Sequence, residues 1–299
     1  MSGPPRELVV LMNPHGGGGR AARRLARAEP VLTAAGVRLD VHPTAHPGHA
    51  RQLARELELR DGAAVCAVGG DGTIHEVVNG LLERDAGDRP ALAVIPGGTG
   101  NSLMTDLRAL DPTDAARRIV AGGRRPLDVA RLDSPDGVLH AFNIIGWGLV
   151  ASVGERAERM RWLGPRRYQL ASVIEALVGR PRPARLELPD EVLEGDLRLV
   201  FAGNTQHTGA GMRMTPAARI DDGLLDVLVV RGGSRAALLK LLAGVPRGAH
   251  LGSPLVSVHR VDRFRLEAGD DRPLNIDGEL VGRPPLDVAV LPGALDLLV

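Results

Sequence analysis

The 299 residues are 44% hydrophobic and 2% aromatic, enough apolar material for one large core or two ordinary ones, built from aliphatic side chains. The formal net charge of +1 leaves no electrostatic footprint for nucleic acid. The basic residues are almost all arginine, which reflects base composition as readily as phosphate recognition.

Glu7–Met12 (ELVVLM) predicts a buried strand that runs into Asn13-Pro14-His15-Gly16-Gly17-Gly18-Gly19. A helix follows over Arg20–Ala35, a strand over Val37–Val41 and a helix over Gly48–Leu59. The apolar run Ala63–Val68 predicts a third strand, ending in Gly69-Gly70-Asp71-Gly72. It contains the one cysteine, Cys66, which excludes a disulfide framework and reads as a small core residue in a reducing, intracellular setting. Thr73–Arg84 is helical by period, with Ile74, Val77, Val78, Leu81 and Leu82 on one face. Ala91–Ile95 predicts a fourth strand, ending in Pro96-Gly97-Gly98-Thr99-Gly100-Asn101. This alternation predicts an α/β domain over 1–125 with a mostly parallel sheet, whose glycine-rich strand ends share one ligand-binding edge.

Past Pro126 strands dominate: Leu127–Leu132, Ala141–Ile145, Ala184–Leu188, Leu197–Ala202, Leu225–Val230, Arg263–Glu267 and Asp287–Leu291. Turn signals join them at Pro189-Asp190, Asp222-Gly223 and Asp277-Gly278. A mainly antiparallel β-sandwich over 126–299 is expected, with the last strand able to return to the first domain. A long basic helix over Glu155–Val178 and a shorter one over Ser234–Ala243 interrupt it, and Gly122-Gly123 is the best linker candidate. Met1–Pro5 lacks the pattern of a signal peptide, and no run approaches the ~18–20 apolar residues of a membrane span.

Chemistry concentrates in the turns. Glycines between a buried strand and a helix let backbone N–H groups approach phosphate oxygens, and the helix N-terminus adds positive potential. An aspartate among them would repel phosphate unless it holds a metal or takes a proton. A purely local reading makes Thr73 and Glu76 a capping box and Asp71 a turn residue; it leaves the two glycines, the aspartate and the next glycine unexplained. Asn13–Gly19 lacks the Lys-Ser/Thr of a P-loop and divides evenly between a second phosphate loop and a plain flexible run. Thr99 and Asn101 are candidate donors to a nucleotide or head group, or an ordinary turn with a helix cap.

Gly69–Arg84 (GGDGTIHEVVNGLLER) with Pro96–Ser102 (PGGTGNS) closely resembles the catalytic domain of the diacylglycerol kinase, sphingosine kinase and ceramide kinase superfamily. The resemblance continues in the family's order through Asn13–Gly19, Thr44, Asp128-Val129-Ala130-Arg131, Gly146-Trp147-Gly148-Leu149, Trp162-Leu163-Gly164 with Tyr168, Asp222-Gly223-Leu224-Leu225-Asp226 and Asp277-Gly278-Glu279. It implies a two-domain lipid kinase using ATP and Mg²⁺, with the nucleotide in the interdomain cleft and the lipid entering over the second domain. Asp71 and Glu279 are the catalytic candidates, either able to accept a hydroxyl proton. The resemblance implies nucleotide contacts from Asn13, Pro14, Gly16, Gly17, Thr44, Gly69, Gly70, Gly72, Thr73, Glu76, Gly98, Thr99, Asn101, Arg161, Arg167, Asp277 and Gly278. It also implies that Asp128 organises the magnesium waters, and that Asp222 forms a second magnesium site with backbone oxygens of Arg219 and Leu224. From residues alone, Asp222-Gly223 is a hairpin turn.

Gly148, Ser152 and Gly154 are the substrate-contact candidates. Sphingosine kinases carry acidic residues where this chain has Ser152 and Gly154, and a cationic amino alcohol needs such a charge in a desolvated cleft. A diacylglycerol-like lipid or a glycerophospholipid head-group hydroxyl is therefore expected over sphingosine, with sphingoid-base or ceramide kinase as the alternative. Two further alternatives stand: an NAD kinase-like enzyme, which shares the Gly-Gly-Asp-Gly turn but not the Trp-Gly-Leu and Trp-Leu-Gly segments, and a non-catalytic lipid-binding module, for which loss of Asp71 or Glu279 would argue. The expected setting is cytoplasmic, with peripheral visits to a membrane holding the lipid; the oligomeric state stays open, a homodimer included.

Overall fold

A computed structural model describes residues 3–98, 100–164, 166–209 and 211–299, without the side chains of Arg161 and Arg166. The chain forms two compact units: residues up to Asp128 together with Pro292–Val299, and Val129–Leu291.

The first unit runs β1 (Glu7–Met12), α1 (Ala21–Ala34), β2 (Arg38–Pro43), α2 (His49–Glu56), β3 (Ala63–Gly69), α3 (Asp71–Leu82), β4 (Ala91–Pro96), α4 (Ser102–Asp106) and α5 (Pro112–Ala121). Its strands are parallel in the order β2-β1-β3-β4, and the last strand of the chain, Leu286–Leu298, joins through Leu297 beside Leu92. Leu8, Val10, Cys66, Val68, Ala93 and Ile95 turn to one face, under α1 and α5. Val9, Leu11, Val65 and Ala67 are buried as well and by strand alternation face the other layer, where α2 packs on α3. Each such Leu, Ile or Val contributes about 1.5–3 kcal/mol on full burial, and burial pushes the Cys66 thiol up to about 12.

The caps follow the sequence. The Asp111 side chain accepts from Thr113 and Asp114 N–H, Pro112 opens α5, and Gly122 closes it at φ 71°. The expected linker is therefore a packed corner. A Cβ on Gly122 would overlap the Gly3 carbonyl, and Gly123 O accepts from Val299 N at 3.0 Å. The unit boundary falls instead within the strand β5 (Arg124–Ser134).

The second unit continues with β6 (Gly137–Ala141), β7 (Ile144–Gly148), α6 (Leu149–Arg159), α7 (Arg166–Val178), β8 (Arg182–Glu187), β9 (Val192–Gly203) and β10 (Leu225–Arg231). It ends with α8 (Arg235–Gly244), β11 (Val256–Val261), β12 (Arg263–Ala268), β13 (Leu274–Ile276), β14 (Glu279–Val281) and β15 (Leu286–Leu298). The order β14-β13-β7-β9-β8-β12-β15 is antiparallel throughout, and β10 bridges β9 and β11. This is a mainly antiparallel β-sandwich around Trp147, Leu186, Val227, Phe264, Leu266 and Ile276. The single helix expected over Glu155–Val178 is two helices. A 3-10 turn at Arg161–Leu163 and Gly164 at φ 58° break the α-helical hydrogen bonding between them.

Candidate active site

In the first unit the strand order reverses between β1 and β3. Helices leave those strands toward opposite faces, and the carboxyl edge between them is the ligand position of open α/β sheets. Three glycine turns meet there. Gly17, Gly18 and Gly19 sit at φ 60°, 72° and 78°, a left-handed run that only glycine adopts cheaply. A Cβ on Gly17 would overlap the Gly97 carbonyl, and one on Gly98 would overlap Gly70 Cα. Gly97 and Gly98 N–H both donate to Gly69 O, at 2.7 and 2.9 Å. The absent side chains thus let three main-chain segments touch. Asn13 fixes the first turn by accepting from His15 N at 3.0 Å. Thr44 N donates to Met12 O at 2.8 Å, which sets Thr44 and the following turn beside it.

Asp71 opens α3 and reaches across to the third turn. Its carboxylate accepts from Ser102 N at 2.9 and 3.2 Å and from Ser102 Oγ at 2.9 Å. It therefore caps α4 while lying in the first turn of α3, a fixed negative charge among backbone amides. Thr73 and Glu76 form no capping box. Thr73 N donates to Gly70 O, while Glu76 accepts from Gly48 N at 2.9 Å and Ala50 N at 3.0 Å, capping α2 instead. Glu76 thus holds the segment after Thr44 in place. Asn101 Nδ2 donates to Gly98 O at 2.9 Å; its Oδ1 is buried and meets no donor among the described residues. That leftover acceptor suits a polar ligand group. Gly72 lies in the first turn of α3, Pro14 and Gly16 stand partly exposed in the first turn, and Thr99 lies outside the described residues. Asp128 is buried, and its Oδ1 accepts from Gly293 N at 2.7 Å, joining β5 to the last strand.

In the second unit Asp277-Gly278 is a two-residue hairpin turn with φ of 54° and 100°, the left-handed pair that Asp-Gly favours between antiparallel strands. Asp277 is buried. Its carboxylate accepts from Phe142 N at 3.1 Å and from Asn143 and Ile144 N at 2.9 Å each. These amides turn away from strand pairing to meet it, which is why the strand expected over Ala141–Ile145 breaks into β6 and β7. Asp277 is an anchor of the second unit, facing its own backbone. Gly278 and Glu279 beyond it are exposed, and Glu279 makes no hydrogen bond or ion pair among the described residues. A buried polar group, legible in the sequence only as Asn-Ile-Ile and Gly-Asn-Thr, underlies the turn. Asn204 Nδ2 donates to Phe142 O at 2.9 Å, Thr205 Oγ1 donates to Asn143 Oδ1, and Thr215 Oγ1 donates to Thr205 O at 2.7 Å.

The expected second magnesium site takes another form. Asp222 Oδ1 accepts from Leu224 N at 3.2 Å, and its Oδ2 pairs with Arg260. Arg260 also pairs with the buried Asp226 at 3.2 Å. Burial pushes the Asp226 carboxyl up, with Arg260 opposing. Arg219 pairs with Asp221 at 3.4 Å. A guanidinium stands against the Asp222 carboxylate that the resemblance assigns to the metal, so the residues as arranged do not fit a divalent ion there.

The substrate candidates separate. Gly148, at φ 72°, lets the chain pass from β7 into α6 against the Arg198 carbonyl. At Gly154 a Cβ would stand 3.0 Å from Asn275 Nδ2 and 3.1 Å from Leu280 Cδ2, so the position is closely packed and a longer side chain needs those two side-chain ends to shift. Ser152 is buried, and its Oγ accepts from Arg182 Nη2 at 3.1 Å. Arg167 donates to Tyr168 Oη at 3.1 Å and pairs with Glu158 at 3.5 Å; the Arg161 side chain lies outside the described residues.

Comparison with known proteins agrees with this architecture. Residues 7–132 match the diacylglycerol kinase catalytic domain, and residues 143–299 match the YegS C-terminal NAD kinase beta sandwich-like domain. A diacylglycerol kinase of Mycobacterium tuberculosis is 32% identical over 98% of this chain and 94% of its own length. Sphingosine kinase 1 of Arabidopsis thaliana is 28% identical over 94% of this chain and 70% of its own length. The crystal structure of a diacylglycerol kinase from Bacillus anthracis superposes with a TM-score of 0.81 at 27% identity, covering 98% of this chain and 96% of that one. This chain belongs to the lipid kinase family that joins a diacylglycerol kinase catalytic domain to a YegS-type sandwich.

Proposed function

We propose that the chain transfers the γ-phosphoryl group of ATP, with magnesium, to the hydroxyl of a diacylglycerol-like lipid alcohol. The observation that carries this reading is the meeting of three glycine-rich turns, one of them holding Asp71, at the switch point of the first sheet. Backbone amides and two helix N-termini there suit phosphate oxygens. Magnesium usually shares one or two carboxylates with nucleotide phosphates. Asp71 is the carboxylate that would share it, and the bound ion would neutralise charge developing on the phosphates. Asp71 already accepts from Ser102, so its role in this reading is a fixed charge. Glu279, exposed and with no side-chain partner among the described residues, is the proton acceptor: it takes the hydroxyl proton as the lipid oxygen bonds to the γ-phosphorus and the bond to the ADP oxygen breaks. The protein would visit its lipid at a membrane surface from the cytoplasm; none of the described helices is long and apolar enough to cross one.

Ser152 and Gly154 favour a lipid without an amine. Arg182 donates to Ser152 and pairs with Asp270, and Gly154 carries no side chain, so neither position offers a carboxylate to a cationic head group. The test is a mixed-micelle assay with radiolabelled ATP in which diacylglycerol, phosphatidylglycerol, ceramide and sphingosine compete. Diacylglycerol or phosphatidylglycerol should win on kcat/KM, and Asp71→Asn and Glu279→Gln should each lower kcat by about 10²–10⁴-fold. Sphingosine winning, or near-normal turnover in both variants, would sink the reading.

A further inference from the structure

We propose that a cavity in the second unit binds a phosphate group, carried on a lipid head group or free in solution. The cavity holds about 530 Å³ and opens beside the end of α7 and the start of β8. That is within the ~300–1,000 Å³ range of small-molecule pockets. Val178 is its one aliphatic side chain, so it is not built for an acyl chain.

Two arginines in the cavity are already matched. Arg182 pairs with Asp270 at 2.9 Å and donates to Ser152, and Arg156 pairs with the buried Glu175 at 2.6 Å. Three more arginines line it, Arg159, Arg180 and Arg272, and they make no hydrogen bond or ion pair among the described residues. Glu155 and Glu175 are the only carboxylates in the lining, so the concavity keeps a net positive charge even when Asp270 is counted. A solvated surface scatters such charges. Gathered in one concavity they repel one another, and a low-dielectric wall focuses their field on an anion that enters. Guanidinium groups match phosphate oxygens two at a time, with donors in a fixed fork. The paired arginines hold the shape, and the unpaired ones supply the charge.

The inference rests on the lipid-kinase reading only for its choice of lipid probe. The test uses the full chain and the triple variant Arg159→Gln/Arg180→Gln/Arg272→Gln, with Arg23→Gln/Arg60→Gln/Arg117→Gln as a control of equal charge change. Binding is measured to phosphatidylcholine vesicles with and without phosphatidylglycerol, and to glycerol 3-phosphate and inorganic phosphate in solution. Each arginine contributes about fivefold near an anionic surface, so the triple variant should lose roughly 100-fold in vesicle partitioning. Its melting temperature should be no lower than that of wild type, because these side chains hold no partner among the described residues and their mutual repulsion is removed. The control should keep its binding within about fivefold of wild type. Loss on vesicles alone identifies a lipid phosphate, and loss on the soluble phosphates identifies a free one; either supports the site. Equal loss in the control, or no loss in the triple variant, overturns it. Absence of phosphoryl transfer alongside binding that the triple variant abolishes would remove the proposed function and leave this site standing.

Discussion

The candidate site of the first unit and the turn region of the second are built in opposite ways. In the first unit the main chain makes the surface: Gly17, Gly70 and Gly98 bring backbone against backbone, and the one carboxylate, Asp71, is held by Ser102. In the second unit side chains make the surface. Asp277 gathers three amides under the turn, Asn143, Asn204, Thr205 and Thr215 form a buried polar group beneath it, and the free carboxylate of Glu279 stands on top. A surface made of backbone tolerates no added atoms; a surface made of buried polar side chains tolerates no lost ones. The two regions should therefore fail differently when altered.

The largest effect is expected at Asp277. Asp277→Ala removes the acceptor of three buried N–H groups, and each donor left unsatisfied costs about 1–3 kcal/mol. Water entering the gap would recover part of that, so a loss of roughly 3–5 kcal/mol is expected, measured by denaturant unfolding. Glu279→Gln, two residues away, should leave stability within about 0.5 kcal/mol, because its side chain is exposed and holds no partner. Equal destabilisation by the two changes would erase the distinction between anchor and reactive group.

In the first unit the counterpart is Gly98→Ala. The new methyl would overlap Gly70 Cα, and the nearest atoms it meets are all backbone, which cannot move aside as a side-chain end can. Overpacking of this kind costs about 1–3 kcal/mol, and separation of the turns should weaken nucleotide binding together with stability. Gly18→Ala meets no atom within 4 Å, so its cost is limited to the left-handed conformation, about 1–2 kcal/mol. Nucleotide affinity measured by calorimetry should fall for Gly98→Ala and hold within a few-fold for Gly18→Ala.

This contrast also decides what could be read from the sequence. β1, β3 and β4 are continuous apolar runs because both of their faces are covered, and glycines in a row have few uses other than close backbone approach. Both signals are local. Asp277 in Asp-Gly reads as a turn residue, which it is; that its carboxylate faces residues 142–144 depends on a contact more than 130 positions away in sequence, which no local pattern carries. The same holds for Glu76, whose spacing from Thr73 fits a capping box but whose carboxylate caps α2. Arg260 lies in an alternating strand and gives no hint that it faces Asp222. Residues that act through partners distant in sequence stay silent until the chain is folded.

Arg260 offers the next test. Arg260→Ala leaves Asp226 buried and Asp222 beside it without a counter-charge. Breaking a fully buried pair costs about 3–5 kcal/mol; Arg260 is half exposed, so solvent screening lowers the expected loss to about 2 kcal/mol. With the guanidinium in place, magnesium should leave the melting temperature of wild type unchanged. In Arg260→Ala the two carboxylates are left without the guanidinium and can take a cation, and magnesium should then recover part of the loss. A wild-type melting temperature that climbs with magnesium and is unaffected by Arg260→Ala would restore a metal in place of the arginine.

The smallest effect is a pH dependence seated at His250, outside the regions compared above. His250 is buried, and its Nε2 lies 2.9 Å from the Met214 carbonyl, so that nitrogen carries the hydrogen and donates. Its Nδ1 is then a bare acceptor, buried without a partner among the described residues. Burial pushes the imidazolium below its ordinary range, with the Met214 bond opposing. The sign follows from the lowered value. As pH falls through about 6.5, the histidine of the unfolded chain takes a proton before the folded one does. The unfolded state therefore binds more protons in that window, and stability drops with falling pH until the folded group also titrates. Between pH 7 and pH 5.5 this one residue should therefore lower stability. His250→Gln retains an N–H donor for Met214 and has no proton to gain, so its stability should fall less over the same range. Parallel stability–pH curves for wild type and His250→Gln, measured by urea unfolding, would show that the buried Nδ1 takes its proton at an ordinary pH, through water that reaches it in the folded state.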